Sequence, residues 1–332
     1  MKSFIEKIKN GQNLSEEEAS SCLHSILHDQ WEESDLIKFL EALISKGESI
    51  DEITGFAKEL VKNCVKISID KEAIDLCGTG GSGLDRFNVS TTVAFVLAAG
   101  NYKVAKHGNK GSKQPNGAFD LLEELNIKFM LTPPELENQF NTHNLCFMFA
   151  RTHHPAMKAV GPARAKLGKR SIFNIVGPLS NPAQVYHQIV GVSKKEQGKD
   201  LLQALVNLGK KRALVVYGEP GIDEFSISGN STYWFWDGNT ISKNTFNPKE
   251  HGITLKDYTQ LPHGLSDINA ELFLRLLEGD SCGGLDDMVA LNAGAAIYTL
   301  GKTESIQEGY KIAKELLSSG KVKNYFDQFP KT

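Results

Sequence analysis

Between residues 73 and 117 the chain gathers the groups that phosphate chemistry asks for. Gly78, Gly80, Gly81 and Gly83 are interrupted only by Thr79 and Ser82. Without a Cβ, such a loop adopts φ > 0 and brings backbone N–H groups close to an anion. Asn88-Val89-Ser90-Thr91 then opens an apolar stretch to Ala99, whose helix N-terminus would turn free N–H groups and dipole toward the same anion. The glycines fit G-x-G-x-x-G, yet no acidic residue follows roughly 20 positions on to take a ribose diol. Lys106-His107-Gly108-Asn109 stands there instead. A lysine supplies a mobile point charge suited to a second phosphate, and Asn109 can donate to and accept from a substrate. The Gly-Lys-Ser/Thr ending of a Walker A loop is missing too. Phosphate is favoured, and a nicotinamide dinucleotide is not. Further on, Asp223-Glu224 offers hard oxygen ligands of the kind Mg²⁺ uses together with substrate oxygens.

These residues need a scaffold that sets them at strand ends. The run 73–77 reads as a buried strand, short and bounded by glycine. From there strands at 73–77, 102–105, 145–149, 188–193 and 212–217 alternate with helices near 92–99, 118–125, 134–141 and 195–208. That alternation predicts a mostly parallel sheet covered by helices, with ligands beyond the carboxyl ends of its strands. A further helix is expected over Lys158–Leu167. Tyr233-Trp234-Phe235-Trp236 before Asp237-Gly238 resembles a hairpin, and the chain returns to helix from Asn269, where Asn292–Ala296 allows close packing.

Residues 1–66 read as helices only. Phe4, Ile5 and Ile8 recur at helical spacing and Gly11 ends the first helix. Ser15–Glu18 and Ser49–Glu52 are capping boxes, and Leu36, Ile37, Phe39, Leu40, Leu43 and Ile44 form a broad apolar face. The expected fold class is therefore α/β: a small all-helical N-terminal domain, then a large α/β domain over 73–332 with a mostly parallel central sheet flanked by helices.

At 332 residues with 40% hydrophobic side chains, the chain can bury a large core. A net charge of −3 gives no basic footprint for nucleic acid. Cys22, Cys64, Cys77, Cys146 and Cys282 are scattered without C-x-x-C spacing, so they read as buried thiols in a reducing compartment rather than a zinc site. No run reaches the roughly 18 apolar residues of a membrane span, and no signal-peptide core is visible. The expected location is the cytoplasm, without a membrane partner.

Taken in order, Gly78–Gly81, Asn88–Thr91, Lys106–Asn109, His154-Pro-Ala-Met157, Gly161-Pro-Ala-Arg164, Phe173–Pro182 and Gly221-Ile-Asp-Glu224 resemble the anthranilate phosphoribosyltransferase family over nearly the whole chain. The resemblance implies transfer of a 5-phosphoribosyl group from phosphoribosyl pyrophosphate to anthranilate, with Mg²⁺ as cofactor. It implies a homodimer through the helical domain, to which helices of about 151–182 would be joined. The phosphoribosyl pyrophosphate site would comprise Gly78, Thr79, Gly80, Gly81, Ser82, Arg86, Asn88, Val89, Ser90, Thr91, Lys106, His107, Gly108, Asn109, Lys110, Gly111, Ser112, Lys113, Gln114 and Ala118. Anthranilate would meet Gly78, His107, Asn109, His154, Arg164 and Pro178, with the guanidinium fork of Arg164 on its carboxylate. Asp223 and Glu224 would hold one magnesium and Ser90 another. Two positions depart from the family's habit: Ser82 stands where aspartate is usual, and Ala118 where serine is. Alanine at 118 lacks the serine hydroxyl and with it about 1 kcal/mol of neutral hydrogen bonding, which Lys110, Ser112 or Lys113 would replace. The rival readings are a pyrimidine-nucleoside phosphorylase, whose Lys-His-Ser-Thr-Gly-Gly block is not matched here, and a non-catalytic nucleic-acid-binding relative.

Overall fold

Four helices come first in the computed structural model, which describes residues 2–28, 31–111, 114–280 and 282–332. They are α1 (Lys2–Lys9), α2 (Glu16–His28), α3 (Glu33–Lys46) and α4 (Ile50–Lys62). Both expected capping boxes form: Ser15 and Glu18 exchange hydrogen bonds at 2.8 and 3.2 Å, and Ser49 and Glu52 at 2.8 and 3.3 Å. Each satisfies N-terminal donors that a helix leaves free.

The alternating part follows as β1 (Ile74–Gly78), α5 (Val89–Ala99), β2 (Val104–Gly108), α6 (Ala118–Glu124), α7 (Pro133–His143), β3 (Leu145–Phe149) and α8 (Ala150–His153). Next come α9 (Gly161–Leu167), α10 (Ile172–Leu179), β4 (His187–Gly191), α11 (Gly198–Asn207) and β5 (Arg212–Gly218). The hairpin β6 (Ser231–Trp236) and β7 (Ile241–Phe246) precedes α12 (Ser266–Leu277), α13 (Leu285–Thr299), α14 (Ile306–Ser318) and α15 (Lys321–Gln328). One seven-stranded sheet results, in the order β3-β2-β1-β4-β5-β6-β7. Its first five strands are parallel, and the hairpin extends it antiparallel. No described helix is long and apolar enough to cross a membrane.

Three local expectations shift. The second strand runs over 104–108 rather than 102–105, so Lys106 and His107 belong to the strand and not to a turn after it. The helix expected over 158–167 divides into a 3-10 turn, Pro155–Val160, and α9. Pro162 explains the break, because it lacks the N–H that would continue the earlier turn and suits a new first turn. The five cysteines are free, but Cys64 and Cys77 are only half-buried.

Three apolar clusters flank the sheet among the described residues. On one face lies α5, whose run Val93–Ala98 is apolar on all sides and buried throughout. Its Phe95 sits 5.4–5.5 Å from the rings of Phe147, Phe273, Phe326 and Phe329. Beneath it Gly294 of α13 backs onto Gly309 of α14, where a Cβ on either would strike the other's backbone. On the other face, Phe39, Phe56 and Phe173 stack between α3, α4 and α10. That stack carries α9 and α10 alongside the N-terminal helices, with one side turned to the strand ends.

Candidate active site

A cleft of about 1130 Å³ opens beyond the carboxyl ends of β1, β2, β4 and β5 and is walled on its far side by α9 and α10. The glycine loop after β1 has positive φ at Gly80, Gly81 and Gly83, which only glycine adopts without strain. Two loop donors are spent internally: Thr79 N–H donates to Gly191 O at 2.9 Å, and Gly80 N–H to Asp223 Oδ2 at 2.8 Å. The expected cradle is thus narrower than the glycine run suggests. Asn88 makes no side-chain cap on α5 and Val89 N–H donates to Phe87 O at 2.9 Å, so among the described residues it is the N–H groups of Ser90 and Thr91 that remain open to an anion.

Of the phosphate-site candidates, Gly78, Thr79, Gly80, Arg86, Asn88, Ser90, Thr91, Lys106, His107, Gly108, Asn109, Lys110, Gly111 and Ala118 line this cleft. So do His154, Arg164, Pro178, Asp223 and Glu224. Gly81, Ser82 and Gln114 stand off its wall, and Val89 is buried in the core. Ser112 and Lys113 lie outside the described residues.

Lys106 is not the mobile charge expected of it. Its side chain is buried and its Nζ donates to Leu76 O at 2.5 Å and to Ser90 Oγ at 3.1 Å. Burial pushes its pKa down. The reason lies in the sheet. β1 and β2 share a single register pair, Ile74↔Val104, whereas β1 pairs with β4 over five. The gap is bridged by side chains: Lys106 reaches the carbonyl of Leu76, and Asp75 Oδ1 accepts from His107 N–H at 3.1 Å. Asp75 is wholly buried, and burial raises its pKa. It stands in a run that reads as apolar. A lone acid inside a buried strand was the available signal.

The two histidines are neutral. His107 and His154 have ring centroids 5.1 Å apart. Burial holds His107 well below its ordinary pKa and His154 at about 4. His154 Nε2 lies 3.0 Å from Ser180 O, so it is the protonated nitrogen and Nδ1 keeps its lone pair. That Nδ1 is buried without a partner among the described residues, as are His107 Nε2, Thr79 Oγ1, Thr91 Oγ1 and Glu224 Oε2. All five belong to cleft residues. A buried polar atom left unpaired costs about 1–3 kcal/mol, so a wall carrying five of them is built for a polar ligand.

Charge points the same way. Among the described residues, Arg86, Lys106, Lys110, Arg151, Lys158, Arg164, Lys169 and Arg170 line the cleft against Asp223 and Glu224 alone. Arg164 lies 5.4 Å over the Phe173 ring, half-buried, and pairs with no carboxylate among the described residues. Lys110 by contrast is turned to Glu123 at 2.7 Å. This excess favours an anionic ligand, and Arg164 presents a guanidinium fork that no described carboxylate occupies.

Asp223 and Glu224 follow β5 and differ in their surroundings. Asp223 accepts from Arg86 and from Gly80 N–H. Glu224 has the orphaned Oε2, and burial, partly offset by Arg86, raises its carboxyl to about 8. An unpaired oxygen of this kind fits a divalent cation. Among the described residues no three His, Cys, Asp or Glu side chains converge as a metal cage, so an ion here would complete its shell with water and substrate oxygens.

Several residues in and behind the cleft wall carry no local signal. Arg170 donates to Thr79 O at 2.9 Å, and a Cβ on Gly81 would collide with its guanidinium. Asn292 of α13 exchanges hydrogen bonds with the backbone of Phe225 at 2.9 Å, fixing the segment after Glu224. Asn269 of α12, wholly buried, approaches Arg86 O, Asn88 Oδ1 and Asn116 Oδ1 at 2.9–3.1 Å.

Comparison with known proteins agrees with this geometry. Residues 2–64 match the model of the glycosyl transferase family, helical bundle domain, and residues 70–323 that of its a/b domain. The class is that of a two-part glycosyl transferase. The anthranilate phosphoribosyltransferase of Petrotoga mobilis is 38% identical over 320 residues, covering 96% of this chain and 93% of the relative. That of Methanobrevibacter smithii is 37% identical, covering 99% and 98%. The crystal structure of the Thermus thermophilus anthranilate phosphoribosyltransferase superposes with a TM-score of 0.92 at 35% identity, over 98% of both chains. The Saccharomyces cerevisiae protein, in complex with PRPP and Mg, gives 0.88 at 25% identity over 98% and 96%. The chain belongs to the anthranilate phosphoribosyltransferase family.

Proposed function

We propose that the chain transfers the 5-phosphoribosyl group of phosphoribosyl pyrophosphate to the amine of anthranilate, a step of tryptophan biosynthesis. The C1–oxygen bond to pyrophosphate breaks, a C1–nitrogen bond forms, and the amine proton leaves to solvent. The observation that carries this reading is a cationic cleft whose unpaired buried groups converge with an arginine that no described carboxylate pairs.

The glycine-loop backbone, the open N-terminus of α5 and Arg86 would bind the diphosphate. Arg164 would hold the anthranilate carboxylate on the facing helix, with His107, His154 and Pro178 lining the ring's place and Asn109 near the amine. Neutral His107 and His154 position rather than titrate, because burial keeps both unprotonated at neutral pH. The aryl amine is already nucleophilic, so no side chain need act as nucleophile. Catalysis then rests on holding two substrates in line and on stabilising charge on the departing diphosphate. Asp223 and Glu224 would hold one Mg²⁺ and Ser90 another, ions that when bound neutralise that charge. A yeast relative solved with PRPP and Mg supports the assignment.

We assign the helices of 151–182 to the N-terminal helical domain, so that Arg164 and the glycine loop lie on different domains and closure between them brings the substrates together. A homodimer in the cytoplasm completes the proposal. Incubation with phosphoribosyl pyrophosphate, Mg²⁺ and anthranilate should quench anthranilate fluorescence, and omitting either the sugar diphosphate or the metal should abolish the loss. Undiminished fluorescence in the complete mixture would overturn the reading.

A further inference from the structure

Asp223, in the acidic pair assigned to the metal, is already neutralised. Its side chain is 1% exposed, its Oδ1 is paired with Arg86 Nη1, and its Oδ2 accepts from Gly80 N–H at 2.8 Å. Oδ2 is held by the glycine loop and Oδ1 by Arg86 just beyond it. A divalent cation reaching Oδ1 competes with a guanidinium already there.

Arg86 is built to give up that place. Its carbonyl is pinned by Asn116 Nδ2 at 3.2 Å and Asn269 Nδ2 at 3.1 Å, so its backbone stays put. Its side chain is 31% exposed and lines the cleft. The guanidinium can therefore turn without moving the loop. A buried carboxylate stripped of its partner is strongly unfavourable, so Arg86 leaves Asp223 only when another cation replaces it. Likewise it moves only toward another anion. A diphosphate in the same cleft is such an anion, and its oxygens match the guanidinium fork better than one carboxylate oxygen does.

We propose that Arg86 is an internal stand-in for the divalent cation, exchanging Asp223 for the diphosphate of the substrate, so that metal and sugar diphosphate bind as a coupled pair. The inference rests on the metal role given above to Asp223 and Glu224. By linkage, each ligand raises the other's affinity by the same factor.

Mn²⁺ serves as the probe, its free concentration followed by electron paramagnetic resonance, with and without phosphoribosyl pyrophosphate and without anthranilate. The intact protein should bind Mn²⁺ weakly alone and roughly tenfold or more tightly with phosphoribosyl pyrophosphate. Arg86→Gln should bind Mn²⁺ alone roughly tenfold more tightly than the intact protein, bind phosphoribosyl pyrophosphate less well, and show little coupling. Arg86→Lys, which keeps a cation beside Asp223, should change Mn²⁺ affinity in the same direction by less, and it carries the test if the glutamine variant is unstable. Asp223→Asn and Glu224→Gln should weaken Mn²⁺ binding in the presence of phosphoribosyl pyrophosphate. If those two weaken it while neither Arg86 variant gains Mn²⁺ affinity, the stand-in role is refuted and the metal assignment survives. If neither acidic variant affects Mn²⁺, the metal assignment falls and the coupling with it.

Discussion

Replacing Arg164 with alanine separates binding from stability in a way the structure makes quantitative. The guanidinium lies half-buried over the Phe173 ring at 5.4 Å and pairs with no carboxylate among the described residues. Its removal strands no acidic partner. The loss to the folded state is the stacking contact, about 0.5–1 kcal/mol, and the melting temperature should fall by only about 2 °C. The bound state loses more. Hydrogen bonds to charged groups contribute about 1.5–3 kcal/mol each, and a bidentate pair in a half-exposed place falls near the lower end, at about 2–3 kcal/mol in total. At 1.4 kcal/mol per tenfold, the anthranilate Kd should rise roughly 30- to 150-fold. Phosphoribosyl pyrophosphate, held across the cleft by the glycine loop, should bind within about twofold of its original affinity. Titration of anthranilate fluorescence and calorimetry of the sugar diphosphate give the two constants on the same preparation. Arg164→Lys, keeping the charge but losing the fork, should fall between. Equal losses for both ligands, or a collapse in melting temperature with anthranilate affinity retained by the folded fraction, would refute the assignment.

Burial of His154 at a pKa of about 4, against 6.5 for the free side chain, gives a pH signature. Between those values the unfolded chain binds a proton that the folded chain refuses. Stability is therefore complete above pH 6.5 and declines as pH falls toward 4, by about 2 kcal/mol between pH 7.5 and 5. Urea melts of His154→Gln should lack that increment, and an unchanged slope would show that His154 is not the titrating group. At the end of β1, Gly78→Ala drives a Cβ into the Asp223 carboxylate. It should cost more than about tenfold in phosphoribosyl pyrophosphate affinity by calorimetry, because Asp223 must abandon Gly80 N–H. Asn269→Leu removes one of the two hydrogen bonds that hold the carbonyl of Arg86, and those to the amide oxygens of Asn88 and Asn116. The KM for phosphoribosyl pyrophosphate should rise several-fold with that for anthranilate unchanged; a fall in kcat alone, with both KM values kept, would indicate lost folded protein instead.

The residues that announce themselves in the sequence are those whose conformation is set by near neighbours. Glycines at 80, 81 and 83 do take positive φ, the caps at Ser15 and Ser49 form, and Asp237 closes the hairpin by accepting from Asn239 and Thr240 N–H at 2.7 Å. Each depends on a few residues and on sterics that hold in any context. Strand and helix alternation is of the same kind, and so is the phosphate preference of a glycine loop that feeds a helix.

What the tertiary structure decided is which of those groups meet and how much water they keep. Asp223 reaches Arg86 across 137 residues and Arg170 reaches Thr79 across 91, because β4 and β5 lie on one side of β1 and β2 on the other. The same topology buries Lys106 and Asp75 in the gap between β1 and β2. It thus turns an apparently mobile phosphate ligand into a structural tie, and an apparently apolar strand into the carrier of a buried acid. Local sterics fix backbone shape, whereas burial and partnership depend on the whole sheet being assembled. Residue type and spacing therefore named the chemistry, and the fold set the charge, freedom and company of each group that performs it.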